Sequence, residues 1–206
     1  MELLFASQNR HKLGEMAALM IPHVIILPAD IGIGFEFEET EKTFVGNALG
    51  KADHLYNSTG KISLADDSGI VIDALDGAPG VFSARYGTDI FGRPLDAIEK
   101  NRYVLDQLKD VPKDKRTARF VCSMALVLDR YRRFVVQETV EGYVAAKPYG
   151  EGGFGYDPIF LVGDGNKTMA EMSEREKNTI SHRAIAARRM LGIIQQLEQS
   201  EVLHVC

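Results

Sequence analysis

Two β-patterned segments, residues 118–128 and 134–144, flank the tripeptide Arg130-Tyr131-Arg132. A separation that short predicts an antiparallel hairpin. Elsewhere shorter apolar runs alternate with helical patterns. "ELLFA" (2–6) reads as a buried strand, followed by "SQNRHK" and a helical pattern to about Met20. Residues 24–27 read as a second short strand and 28–42 as loop. From Thr43 to about Tyr56, Phe44, Ala48, Ala52 and Leu55 recur at helical spacing. Residues 62–65 read as a strand that delivers Asp66 and Asp67 at its end, and 70–74 as another strand. A long glycine-rich loop over 79–94, a helix over 96–108, and a second glycine-rich loop, "KPYGEGGFGYDP", follow. The closing helix over 181–199 has an apolar stripe of Ala184, Ala187, Leu191, Ile194 and Leu197. The fold class is α/β with a mixed sheet.

A length of 206 residues bounds the chain to one sizeable domain or two small lobes sharing a core. Its 45% hydrophobic and 26% charged fractions are ordinary for a folded protein. The formal net charge is -5 and no run of Lys and Arg is dense. No nucleic-acid partner is therefore expected, although a free anionic nucleotide still fits, because local charge can oppose net charge. Cys122 lies in an apolar run and Cys206 is the last residue; no metal-ligand spacing of Cys and His exists. The first residues lack a basic segment followed by an apolar one, and no stretch approaches the ~20 apolar residues of a membrane span. A cytoplasmic protein without a membrane partner is expected.

Five constellations carry chemistry. "ASQNRHK" joins a strand to a helix. Ser7 and Asn9 are good N-cap types, and helix N-termini favour anions, with Lys12 one turn in. An ordinary capped helix with a surface lysine has the same spacing. "EFEETEKTF" (36–44) places acidic residues before a helix that Thr43 can cap, which is stabilising in itself. Glu39 could instead join a hard-cation site, since Mg²⁺ uses one or two carboxylates plus substrate phosphates. In "ADDSG", Asp66 and Asp67 can face one cation only if the strand has ended and Ser68-Gly69 turns the chain. A divalent cation would reverse their repulsion. A polar turn is the alternative. In "GEGGFGYDP" (150–158), Phe154 and Tyr156 are expected to be exposed enough to stack on a base, or else to be core aromatics of a hairpin loop. In "SEREKNTISHR" (173–183), Ser173 and Glu176 have capping-box spacing. If Ser181 caps the last helix, Lys177, His182 and Arg183 oppose its macrodipole unless an anion or a base edge meets them.

"SQNRHK", "EETEKTFVGNALGKA", "ADDSGIVIDALDGAPGVFSARYG", "GGFGYDPIF" and "MAEMSEREKNTISHRAIA" occur in one order. In this the chain resembles the inosine triphosphate pyrophosphatases over nearly its whole length. The resemblance implies one domain over 1–206, with an elongated α/β fold, a long curved mixed sheet with flanking helices, and two lobes around a central nucleotide cleft. It implies hydrolysis of ITP, dITP and XTP to the monophosphate and pyrophosphate, which keeps these purines out of DNA and RNA. Mg²⁺ dependence and a homodimer are implied too. Asp67 matches the proton acceptor and a metal ligand, and Glu39 a second ligand; Asp66 would support the ion or its water shell. Ser7, Gln8, Asn9, Arg10, His11 and Lys12 match the phosphate-contacting segment, and Ser68 a substrate contact. Phe154, Gly155, Tyr156 and Asp157 match the base-contacting loop, and Lys177, His182 and Arg183 the donors that close over the nucleotide.

Two departures stand out. Ser7 replaces a frequent threonine but keeps the hydroxyl. Gly46 replaces a frequent glutamate, so the capping box from Thr43 is expected to be lost and the helix start weakened. A pyrophosphatase for modified pyrimidine nucleotides would share the general architecture without the "GGFGYDP…SHR" pairing. A nucleotide sensor without turnover would have little need of the aspartate pair.

Overall fold

The computed structural model describes residues 1–200. Its strands are β1 (Glu2–Phe5), β2 (Val24–Ile26), β3 (Ser63–Ile72), β4 (Thr117–Val127), β5 (Arg133–Val144) and β6 (Phe160–Val162). Its helices are α1 (Arg10–Leu19), α2 (Phe44–Thr59), α3 (Thr88–Phe91), α4 (Ala97–Gln107), α5 (Glu174–Ile180) and α6 (His182–Gln199). The strands form one mixed sheet in the order β2-β1-β3-β4-β5-β6. β1 is parallel to β2 and to β3, whereas β5 and β6 are antiparallel. β4 and β5 are neighbours joined by a tight turn in which Asp129 Oδ1 accepts from the Tyr131 and Arg132 amides, so the hairpin is present.

The chain divides into two units: residues 1–67, 122–138 and 183–200, and residues 68–121 and 139–182. In the first, strand periodicity sorts the apolar side chains onto two faces. Leu3 and Phe5 of β1, Leu64 of β3, and Cys122, Met124 and Leu126 of β4 pack with Met16 of α1 and Ala186, Ala187, Met190 and Ile194 of α6. Their alternates Leu4, Ala6, Ala65, Ala125 and Val127 pack with Ala48, Ala52 and Leu55 of α2. In the second unit, Ile70 and Ile72 of β3, Val104 and Leu108 of α4, Phe120 of β4 and Phe160 of β6 form one core. The Phe120 and Phe160 rings lie 4.4 Å apart.

Helix and hairpin positions follow the sequence reading closely. Four details differ, of which two are α5 and β6, elements with no counterpart in the sequence reading. The glycine-rich stretch over 79–94 contains a 3₁₀ turn, Gly80–Arg85, and the one-turn α3. The segments read as two strands over 62–65 and 70–74 are the single strand β3. As expected, the capping box of α2 is absent, although half of the cap remains. Thr43 Oγ1 accepts from the Gly46 amide at 3.0 Å, so the glycine removes only the reciprocal carboxylate. No helix among the described residues is long and apolar enough to cross a membrane. Cys206 and the tail from residue 201 lie outside the described residues.

Cys122 is fully buried, and burial first of all pushes its thiol up to about 12. The thiolate is the nucleophile, so the native thiol is inert at pH 8. Iodoacetamide followed by peptide mass spectrometry should find Cys122 unmodified in native protein and alkylated in urea. Rapid native alkylation would contradict this.

Candidate active site

β3 runs straight through the aspartate pair. Asp66 therefore shares a face with Leu64, and Asp67 the opposite face with Ala65. This corrects the expectation that a strand end turns both carboxylates toward one cation. Asp66 Oδ1 accepts from Lys12 Nζ at 3.1 Å, and its Oδ2 from Arg183 Nε and Nη2 at 3.2 and 3.0 Å. Arg183 Nη1 donates to Glu15 Oε2 at 2.5 Å. Asp66 is 1% exposed and Arg183 2%. Burial opposes ionisation of Asp66, but Lys12, Arg183 and Lys51 outweigh it and hold the carboxyl well below the usual range. Asp66 is the counter-ion of two cations, and the role of supporting a metal ion does not fit it. The Arg183 guanidinium is committed to these two carboxylates.

On the other face, Asp67 Oδ2 accepts from Asn47 Nδ2 at 3.1 Å, and Oδ1 lies 3.6 Å from Lys51 Nζ. Lys51 Nζ also donates to Glu39 Oε1 at 2.6 Å. Burial lowers the Lys51 ammonium pKa, but the charges of Asp67, Asp66 and Glu39 outweigh it and raise it. For Asp67, burial raises the carboxyl and Glu39 adds to this, against Lys51, Lys12 and the Asn47 hydrogen bond. Asn47 also exchanges hydrogen bonds with the Glu41 backbone, its Oδ1 accepting at 3.1 Å and its Nδ2 donating at 3.3 Å. It thereby ties the acidic loop to Asp67. Phe35 and Phe37 pack on His54 of α2 at ring separations of 5.9 and 5.7 Å, which seats the stretch that presents Glu39. Asn47 and Lys51 were missed in the sequence. Their signal was two polar positions one turn apart, beside the apolar face of Phe44, Ala48 and Ala52.

At the start of α1, Asn9 is the N-cap. Its Oδ1 accepts from the His11 and Lys12 amides at 3.0 and 3.2 Å, while Ser7 Oγ accepts from the Asn9 amide. Two of the amides expected to greet an anion are thus already bonded. Gln8 Nε2 donates to the Phe35 carbonyl, and Arg10 and His11 are exposed.

In the second unit, Ser68 is half-buried on β3. Gly69 leaves room for Ser83 Oγ, which accepts from the Ile70 amide at 3.0 Å; a Cβ on Gly69 would lie 2.3 Å from that oxygen. Asp157 Oδ2 accepts from the Phe154 amide at 2.8 Å and from Lys177 Nζ at 2.7 Å. Lys177 Nζ stands 4.9 Å from the Phe154 ring centre. Gly153 has φ +69°, and a Cβ there would strike the Asp157 carboxylate, so glycine is required. Tyr156 is 5% exposed, packs in the core and donates its hydroxyl to the Ser83 carbonyl at 2.9 Å. This corrects the expectation of an exposed Tyr156 ring; Phe154 alone of the two is half-buried. Lys177 lies in the last turn of α5, where a cation suits the macrodipole, and not at the start of the last helix. His182 opens α6 and stacks on Phe120 at 4.7 Å.

Among the described residues, no group of three or more His, Cys, Asp or Glu could hold a metal ion. The Asp67 and Glu39 carboxylates nevertheless suit a hard cation, and the Lys51 ammonium already stands against both. A mixed α/β protein with a carboxylate–lysine cluster on its sheet and a glycine-rich aromatic turn is the class that these features define. The chain belongs to the Ham1 family, whose sequence model matches residues 3–193. It is 49% identical to a dITP/XTP pyrophosphatase of Treponema denticola, over 90% of this chain and 94% of that one. It is 42% identical to the dITP/XTP pyrophosphatase of Bacillus subtilis, over 94% and 97%. A solved HAM1 protein from Coxiella burnetii superposes with a TM-score of 0.84 at 38% identity, covering 95% of this chain and 99% of that one.

Breaking a buried ion pair by removing one partner costs about 3–5 kcal/mol. Asp66→Asn should therefore lower the urea unfolding free energy by about that amount. An unchanged urea midpoint would contradict the counter-ion role.

Proposed function

We propose that this chain hydrolyses non-standard purine nucleoside triphosphates (ITP, dITP and XTP) to the monophosphate and pyrophosphate, and so keeps them out of DNA and RNA. The observation that carries the reading is its identity of 49% and 42% to proteins named dITP/XTP pyrophosphatase, over nine-tenths of the chain. Residues 1–206 act as one functional domain, in the cytoplasm and as a homodimer. The metal would be Mg²⁺; Asp67 and Glu39 would hold it, and it would supply neutralisation of triphosphate charge and polarisation of the phosphorus.

Chain residues perform the rest. Water attacks the α-phosphorus in line, and the bond to the bridging oxygen of the β-phosphate breaks, releasing pyrophosphate. Asp67 takes the proton of that water through Oδ1, while the Asn47 amide fixes Oδ2. Its burial beside Asn47 supports this role. Lys12, Lys51 and the Ser7–Lys12 segment meet the phosphates, and Ser68 contacts the substrate. The base is met by the turn of Phe154, Gly155, Tyr156 and Asp157, with Phe154 supplying the ring face, and by Lys177 and His182. Arg183 places the start of α6 through Asp66. A 6-keto purine offers an acceptor where adenine offers an amine, so donors in this turn favour ITP and XTP over ATP.

Steady-state hydrolysis of dITP, ITP, XTP, GTP and ATP, read as pyrophosphate, tests this reading. We expect kcat/KM for dITP, ITP and XTP far above that for ATP, no single phosphate release, loss of turnover with EDTA and recovery with Mg²⁺. Equal rates on all five, or release of single phosphates, would overturn it.

A further inference from the structure

Asn101 of α4 is 4% exposed and lies outside the residues assigned above. Its Nδ2 donates to the Gly155 carbonyl at 3.0 Å, whereas its buried Oδ1 accepts nothing among the described residues. The amide cannot be turned over to relieve this, because oxygen would then face oxygen. A buried acceptor without a donor costs stability, and an apolar side chain of this size would avoid that cost. An orphaned polar atom in a packed interior calls for a reason other than packing.

The reason lies in the turn that Asn101 holds. The tethers of residues 154–157 include the Phe154 amide to Asp157 Oδ2, the Asp157 amide to the Phe154 carbonyl, Lys177 to Asp157, the Gly155 carbonyl to Asn101, and the Tyr156 hydroxyl to Ser83. Of these, the bond from Asn101 is the one that engages the Gly155–Tyr156 peptide itself. In a trans peptide the carbonyl and the next N–H point in opposite directions. With the Gly155 carbonyl turned to Asn101, the Tyr156 N–H points away from α4, and it makes no hydrogen bond among the described residues. Gly155 has φ +64°, and a Cβ there would meet nothing within 4 Å, so there is open space beside this residue.

We infer that Asn101 is a positioning residue for substrate choice: it orients the Gly155–Tyr156 peptide so that the Tyr156 N–H is presented as a donor to the 6-keto oxygen of the purine. The inference rests on the proposal that the 154–157 turn meets the base. A backbone donor rewards a keto oxygen and meets the adenine amine with no acceptor, so the peptide's orientation bears on the preference and not only on affinity.

The test compares wild type, Asn101→Leu and Phe154→Ala with dITP and ATP, alongside thermal melting. Asn101→Leu should melt close to the wild-type temperature, because it removes the orphaned Asn101 oxygen while leaving the Gly155 carbonyl without its donor, two effects of opposite sign. Its kcat/KM for dITP should fall by about tenfold, mainly through KM, with that for ATP unchanged, narrowing the preference by the same factor. A wild-type dITP KM and preference in Asn101→Leu would overturn the inference, as would equal losses on both substrates with a lowered melting temperature. If Leu does not fold in this packed position, Asn101→Ser removes the reach without added bulk and carries the same expectation for the preference. Phe154→Ala separates the two claims. A raised dITP KM in Phe154→Ala beside a normal Asn101→Leu leaves the base-contacting turn standing and removes the Asn101 role. An unchanged KM in Phe154→Ala removes both.

Discussion

The alternation of β3 is the constraint on which the first unit depends. Side chains on a strand leave it on opposite faces in turn, so neighbours cannot share a task unless the strand breaks. β3 does not break between Ser63 and Ile72, and Asp66 and Asp67 are driven apart. Asp66 goes to the α1 and α6 side, where it meets Lys12 and Arg183 in a buried ion cluster. Asp67 goes to the α2 side, where Asn47 and Lys51 reach it from successive turns of one helix. One dipeptide thus supplies a buried counter-ion to one face and a carboxylate held by Asn47 and Lys51 to the other.

The two carboxylates differ in electrostatics as well as in place. Around Asp66, opposite charges outweigh burial, and the group stays ionised and bonded. Around Asp67, burial and the nearby Glu39 outweigh Lys51, and the carboxyl is pushed up. A group held less firmly in its charged form is better placed to take a proton than one locked by two cations. The second unit follows a related logic, for each part of the 154–157 turn has its own anchor. Asp157 ties the Phe154 amide to Lys177, and Tyr156 is spent on the core and Ser83.

Much of the fold was legible in the sequence because its signals are local. The helical spacing of Phe44, Ala48, Ala52 and Leu55, and the apolar runs on either side of Arg130-Tyr131-Arg132, report directly on buried faces. What was not legible depends on distant partners. The acidic residues at 66 and 67 look like a strand end, since two charges in a buried strand make sense only once Lys12, Arg183, Asn47 and Lys51 are known to meet them. Tyr156 between glycines looks exposed until Ser83 is seen to accept its hydroxyl. Lys177 looked ill-placed only because it was assigned to the start of the last helix, with no separate helix read over Glu174–Ile180. Asn101 gave no signal, as its partner is a backbone carbonyl far along the chain.

The central claim is that the two aspartates divide structure from chemistry, and Asp67→Asn tests it most directly. Asn keeps the shape of Asp67 and can still accept from Asn47. The carboxyl pKa of Asp67 is raised on folding, so its ionised form favours unfolding above the usual carboxylate range, and the substitution should leave the urea midpoint at pH 7 unchanged or higher. Pyrophosphate release from dITP should fall by about 10²–10⁴-fold, the contribution of a positioned proton acceptor. A variant that folds normally and retains near-full turnover would contradict the account.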